Sequence, residues 1–154
     1  LMGLCRVLAY LTAAATVSSA IGGGTALLLG AAGLCCHVVG LTYAARQEAY
    51  DRIGAAWPLM VLAAPLAGAL AWGIAASPIA LIPWALLAAA TAFALRLLFR
   101  RRAGDVPRAV GLLIAAIALY DATLLTAAGA PVFAVVALLS FPATLALQRV
   151  VPGT

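Results

Sequence analysis

The chain has 154 residues, 67% of them hydrophobic and 8% charged, with a mean hydropathy of +1.18. A soluble domain is usually about 45–50% apolar and about 25% charged. No fold of this length buries so much apolar surface within itself, so lipid must be the solvent, and a soluble globular domain is excluded. The net charge of +5 rests on nine arginines with no lysine. They sit between hydrophobic runs, so they read as topology signals and not as a nucleic-acid surface.

A hydrocarbon core of about 30 Å needs about 20 apolar residues per helix. In chain order the predicted spans are Leu4–Ile21, Thr25–Ala45, Ile53–Ala75, Ile79–Leu98, Ala109–Gly129 and Pro131–Gln148. The runs are continuous, not alternating, and Ala and Leu outnumber β-branched residues, which argues against a barrel. The expected fold is therefore all-α: a polytopic transmembrane bundle of about six helices, residues 1–154 forming one unit. Small-residue stretches ("AAATVSSAIGGG", "GAAGL", "APLAGALAWG") let helix backbones approach closely in lipid. Pro58, Pro65, Pro83 and Pro142 lie inside runs and predict kinks.

The connections alternate in character. "IGGGT", "AASP" and "AGAP" are short and uncharged. Every arginine falls on the other set. Arg6 stands at the start of the first run, and Arg46 and Arg52 lie between the second and third. Arg96, Arg100, Arg101, Arg102 and Arg108 surround the fourth connection, and Arg149 follows the last run. The positive-inside rule places that face, with both termini, on the cytoplasmic side of a bacterial-type cytoplasmic membrane. Cys5, Cys35 and Cys36 lie in or beside apolar runs with no Cys/His cluster, so they read as free thiols. Adjacent Cys35 and Cys36 point to different helix faces, which argues against a mutual bridge.

Few polar residues interrupt the apolar runs. The stretch "RQEAYDR" gathers Arg46, Glu48, Asp51 and Arg52. Glu48 and Asp51, three apart, share a face of a helical turn. Two carboxylates so placed suit one Mg²⁺ while arginine holds a phosphate. The alternative is a solvated loop whose arginines only set topology. Asp121 lies inside the fifth run, about 20 Å along a helix from Arg108. An acid at that depth is either a functional group facing a cavity or a protonated structural acid bonded to a neighbour. His37 lies mid-span, and positions 37, 41, 44 and 48 share one helical face, so it either lines a cavity below Glu48 or packs as a hydrogen-bonded residue. Arg100–Arg102 read as an anchor near anionic headgroups. Trp57, Trp72 and Trp84 read as interface or packing aromatics.

"MGLCRVLAYLTAAA" followed by "HVVGLTYAARQE" resembles the second half of the UbiA superfamily of intramembrane prenyltransferases, closest to the divergent EboC-like bacterial branch. There an L-T-x-x-x-R-x-E stretch ends a helix; here it is Leu41, Thr42, Arg46 and Glu48. The "LYDA" of Leu119–Ala122 also resembles a late-helix feature of that branch. The resemblance implies a helical bundle that binds an isoprenyl diphosphate through Mg²⁺ and acidic motifs on cytoplasmic loops. The prenyl chain would lie in a membrane cavity, and an aromatic or other small acceptor would take it at C1. Glu48 and Asp51 would be the catalytic, metal-binding remnant of the second acidic motif. Arg46, Arg6 and Arg52 would hold the diphosphate, and His37, Thr42 and Asp121 would line the cavity. The N-x-x-x-D-x-x-x-D first motif has no counterpart, since the chain contains no Asn. The chain is therefore expected to be the C-terminal part of a longer protein and inactive alone. The rival readings are a small transporter using Asp121 and His37 as ion-coupling groups, and a structural membrane subunit without catalysis.

Overall fold

The computed structural model describes residues 24–49 and 57–150, together with Leu8 and Thr12. Every element among them is helical: α1 (Gly24–Ala49), a short α2 (Trp57–Met60), α3 (Ala63–Ala76), a 3₁₀ turn (Pro78–Ala80), α4 (Leu81–Arg100), α5 (Asp105–Ala127) and α6 (Pro131–Val150). Among the described residues four segments are long and apolar enough to cross a membrane: Leu28–Arg46, Pro78–Arg100, Asp105–Ala127 and Pro131–Val150. The described residues are thus those of an all-helical membrane protein, with four such helices among them.

The other two predicted spans fare differently. Leu4–Ile21 lies outside the described residues apart from Leu8 and Thr12, where the Thr12 hydroxyl donates to the Leu8 carbonyl. Ile53–Ala75 is not one helix. A turn at Val61 and Leu62 divides it, and its longer piece, α3, has 14 residues. At 1.5 Å per residue that piece is about 21 Å long, short of a bilayer core. Pro65 supplies the cause: it has no N–H to give the Val61 carbonyl, and its ring crowds that carbonyl. Tighter bonds replace the helical ladder, Leu62 N to Leu59 O at 3.1 Å and Ala64 N to Val61 O at 3.2 Å. The other prolines do less. Pro83 falls in the first turn of α4, where its missing N–H has no helical partner to lose. Pro142 is carried inside α6, which runs on to Val150.

Helix α5 is the hub, packing against α1, α3, α4 and α6. More than half of its span is buried (56%), against 6% for α6. Small residues make this possible. Ala109, Ala115, Ala116 and Ala122 are buried on α5, and α1 brings Gly30, Gly33 and Gly40 to its packed side. Two apolar clusters stack along the bundle. One joins Ala44, Leu59, Leu62, Leu97, Ala109 and Leu113 near the arginine-bearing ends. The other joins Leu34, Ala69, Leu87, Ala116 and Tyr120 toward the opposite ends. Trp84 ties α4 to α3 by donating its indole N–H to the Leu66 carbonyl at 2.9 Å. Gln148 ties α6 to α5 by donating to the Gly111 carbonyl at 3.2 Å.

Candidate functional site

An apolar cavity of about 610 Å³ opens between α1, α3 and α5. Its walls include Gly30, Gly33 and Cys36 of α1, Pro65 and Gly68 of α3, and Tyr120 of α5. The space follows from the sequence. Gly68 on α3 leaves open volume, where an added Cβ would meet nothing within 4 Å, and the Tyr120 ring, close against Gly33, forms one boundary. Its hydroxyl donates to the Gly30 carbonyl at 3.0 Å, so the ring is held by the helix it faces. Cys35, the neighbour of Cys36, is exposed on another side of α1, and both thiols are free.

The same helix ends in charge. Arg46 is exposed in the last turn of α1, which continues through Glu48 to Ala49. Ten residues separate Cys36 from Arg46, about 15 Å along the axis. One helix therefore offers small residues to a cavity and then carries a cation and an acid to its end. The Glu48 side chain and all of Arg6, Asp51 and Arg52 lie outside the described residues. Among the described residues no three His, Cys, Asp or Glu side chains converge as metal ligands. Glu48 lies in the last turn of α1, which ends at Ala49, and Asp51, the other member of the expected carboxylate pair, lies outside the described residues.

The structure distributes the remaining predicted site residues as follows. His37 is buried (1% exposed), and its Nε2 donates to the Leu113 carbonyl at 2.9 Å, which places the proton on that nitrogen. Its face, with Leu41 and Ala44, turns inward as the spacing predicts, but packing fills it. Thr42 lies on the exposed side of α1 and donates its hydroxyl to the Val38 carbonyl at 2.7 Å. Asp121 is half-buried on α5, next to Tyr120 in sequence. None of His37, Thr42 and Asp121 is among the residues that line the cavity.

An acid not singled out in the sequence is closely engaged. Asp105, 1% exposed, opens α5. It accepts two hydrogen bonds from Arg100, at 2.7 and 2.8 Å, and a third from the Arg102 backbone N–H at 3.0 Å. Its charge also suits the positive end of the helix. The turn it closes is tight: Arg101 is left-handed (φ 52) and so is Gly104 (φ 82). A non-glycine residue in that region costs about 1–2 kcal/mol, which the charge-assisted bonds around Asp105 offset. The signal in sequence was an acid directly after Gly, at a helix start, five residues from an arginine.

The fold is that of an α-helical membrane protein with an apolar cavity that is open on one side, where Leu29, Ala32 and Gly68 are exposed. Comparison with protein-family models, with curated proteins and with solved structures finds no match.

Proposed function

We propose that the chain is part of a UbiA-type intramembrane prenyltransferase, moving an isoprenyl group from a prenyl diphosphate to an aromatic or other small acceptor. The observation that carries this reading is α1, which walls an apolar cavity and ends in Arg46 and Glu48. An amphiphile with an anionic head and a long apolar tail matches that arrangement. The cavity volume falls within the roughly 300–1,000 Å³ usual for small-molecule sites. The arginine-bearing connections would face the cytoplasm, and Leu4–Ile21 with the divided 57–76 stretch would complete six membrane segments.

In this reading Arg46, Arg6 and Arg52 grip the diphosphate. As the C1–O bond breaks, negative charge gathers on the departing diphosphate, and fixed cations there lower the barrier. The acceptor forms its bond to C1 and gives up a proton. Glu48 and Asp51 would hold Mg²⁺, which supplies further neutralisation of the diphosphate when bound. The apolar walls keep water from the allylic carbon.

The test is binding of a prenyl diphosphate analogue, with and without Mg²⁺. Glu48→Gln keeps the shape and removes the charge, so binding should weaken about tenfold or more. Arg46→Lys should also weaken it, because a point charge does not replace a planar fork. Gly68→Leu should fill the cavity, where an added Cβ meets nothing within 4 Å. It should weaken the prenyl analogue and leave inorganic diphosphate unaffected. If Glu48→Gln and Arg101→Gln behave alike, the charged patch is a topology signal and the reading fails.

A further inference from the structure

Five of the nine arginines and one of the four acids fall between residues 96 and 108, the ends of α4 and α5 and the turn between them. The structure divides these cations by engagement, not by exposure alone: Arg100 is paired although its side chain is 42% exposed, and Arg101 is half-buried. Arg100 is committed to Asp105, which engages it with both carboxylate oxygens and takes the Arg102 backbone N–H as well. That carboxylate accepts three hydrogen bonds and is buried. Arg96, Arg102 and Arg108 are exposed.

Their positions matter as much as their charge. Arg96 lies one turn before Arg100 on α4, beside the exposed Phe93 and Phe99. Arg108 lies one turn into α5, and Arg102 is in the turn itself. Both helices are long enough to cross a bilayer and meet in this turn, so all three side chains sit within reach of the membrane boundary. An arginine on a lipid-facing surface one turn below the boundary extends its stem along the hydrocarbon and carries its head to the phosphate level. A phosphodiester oxygen pair is the complement of a guanidinium fork. A zwitterionic headgroup brings its own cation to the same place, and an anionic one does not.

We propose that the α4–α5 hairpin is a binding site for anionic phospholipid, gathered by Arg96, Arg102 and Arg108 while Asp105 holds Arg100 to the fold. The ion pair between half-exposed Arg100 and buried Asp105 fixes the turn, which leaves Arg96 on α4, Arg102 in the turn and Arg108 on α5 exposed. The site is independent of the prenyl reading, which concerns α1.

The experiment is native mass spectrometry of the whole chain released from vesicles of equal phosphatidylglycerol and phosphatidylcholine. Near an anionic surface one arginine is worth about fivefold in affinity. Three acting together should retain phosphatidylglycerol over phosphatidylcholine by at least about tenfold. Arg96→Gln with Arg102→Gln and Arg108→Gln should bring the ratio close to one, and Arg149→Gln should leave it unchanged. Millimolar glycerol phosphate should not displace the retained lipid. A wild-type ratio near one overturns the proposal, and so does a triple variant that keeps the wild-type ratio. Displacement by glycerol phosphate would reassign the site to free phosphate and overturn it as a lipid site. Should the triple variant fail to fold, the wild-type ratio and the single Arg96→Gln variant, expected to lose several-fold, decide the matter.

Discussion

Gly33→Ala is the sharpest probe of the bundle. A Cβ at Gly33 would collide with the Tyr120 hydroxyl and lie 3.1 Å from Cζ of that ring. The ring is poorly placed to retreat, because Tyr120 is buried and its hydroxyl bonds to the Gly30 carbonyl. Overpacking of this kind costs about 1–3 kcal/mol. Loss of the interhelical hydrogen bond adds about 0.6 kcal/mol, the average for such bonds in membranes. The better helix propensity of alanine returns about 0.5–1 kcal/mol. The expected net destabilisation is about 1–3 kcal/mol, dominated by the contact. Unfolding by dodecyl sulfate titration in mixed micelles, followed by circular dichroism, measures it. Tyr120→Phe removes the atom that collides, so it should recover part of the loss in the Gly33→Ala background, while costing some stability alone. If Gly33→Ala lies within about 0.5 kcal/mol of the parent, or if the two effects simply add, the close packing of α1 on α5 has been misjudged.

Three further outcomes are expected. Gly40→Ala should also destabilise, because its Cβ would lie 2.6 Å from Cγ of Leu62; Leu62→Ala in the same chain should relieve part of that loss in the same titration. Asp105→Ala and Arg100→Gln should both lower the thermal midpoint, the first by removing the acceptor for Arg100 and for the Arg102 N–H, the second by leaving a buried carboxylate without its cation. Scanning calorimetry in detergent measures both, and an unchanged midpoint in either would refute the role given to the pair. A cysteine placed at exposed Ala76, in a chain stripped of Cys5, Cys35 and Cys36, should react with an impermeant maleimide only from the side opposite the arginines; labelling from the arginine side would overturn the proposed topology.

Much of the helical plan is legible in hydropathy alone. The run predicted as Thr25–Ala45 falls within α1, and Pro131–Gln148 falls within α6. The boundaries that moved did so for physical reasons. A hydropathy rule leaves Asp105 outside a span, yet helix α5 begins there because Arg100 and a backbone N–H neutralise the acid. The third run was legible as apolar and as carrying Pro65. Whether a proline bends or divides a helix depends on the neighbours that accept the freed carbonyl, and these come from tertiary packing. The small residues of α1 pointed to close approach, but composition does not say which glycines face a void and which a side chain. Gly33 meets Tyr120, while Gly68 meets nothing. His37 was legible as mid-span, but its partner, a carbonyl on α5, carries no sequence signature at all.

That last pairing sets a condition on biosynthesis. His37 and Leu113 are separated by 76 residues, and a ribosome adding about 5–20 residues each second needs about 4–15 s to pass from one to the other. During that interval α1 is already made, while its imidazole and its glycine-lined side have no α5 to meet. The hub arrives after three of the helices that depend on it. A nascent chain stalled before Leu113 would hold an unmatched polar ring at bilayer depth. Synthesis that pauses just past α5 would instead give the bundle time to close before α6, the least buried helix, is laid against it.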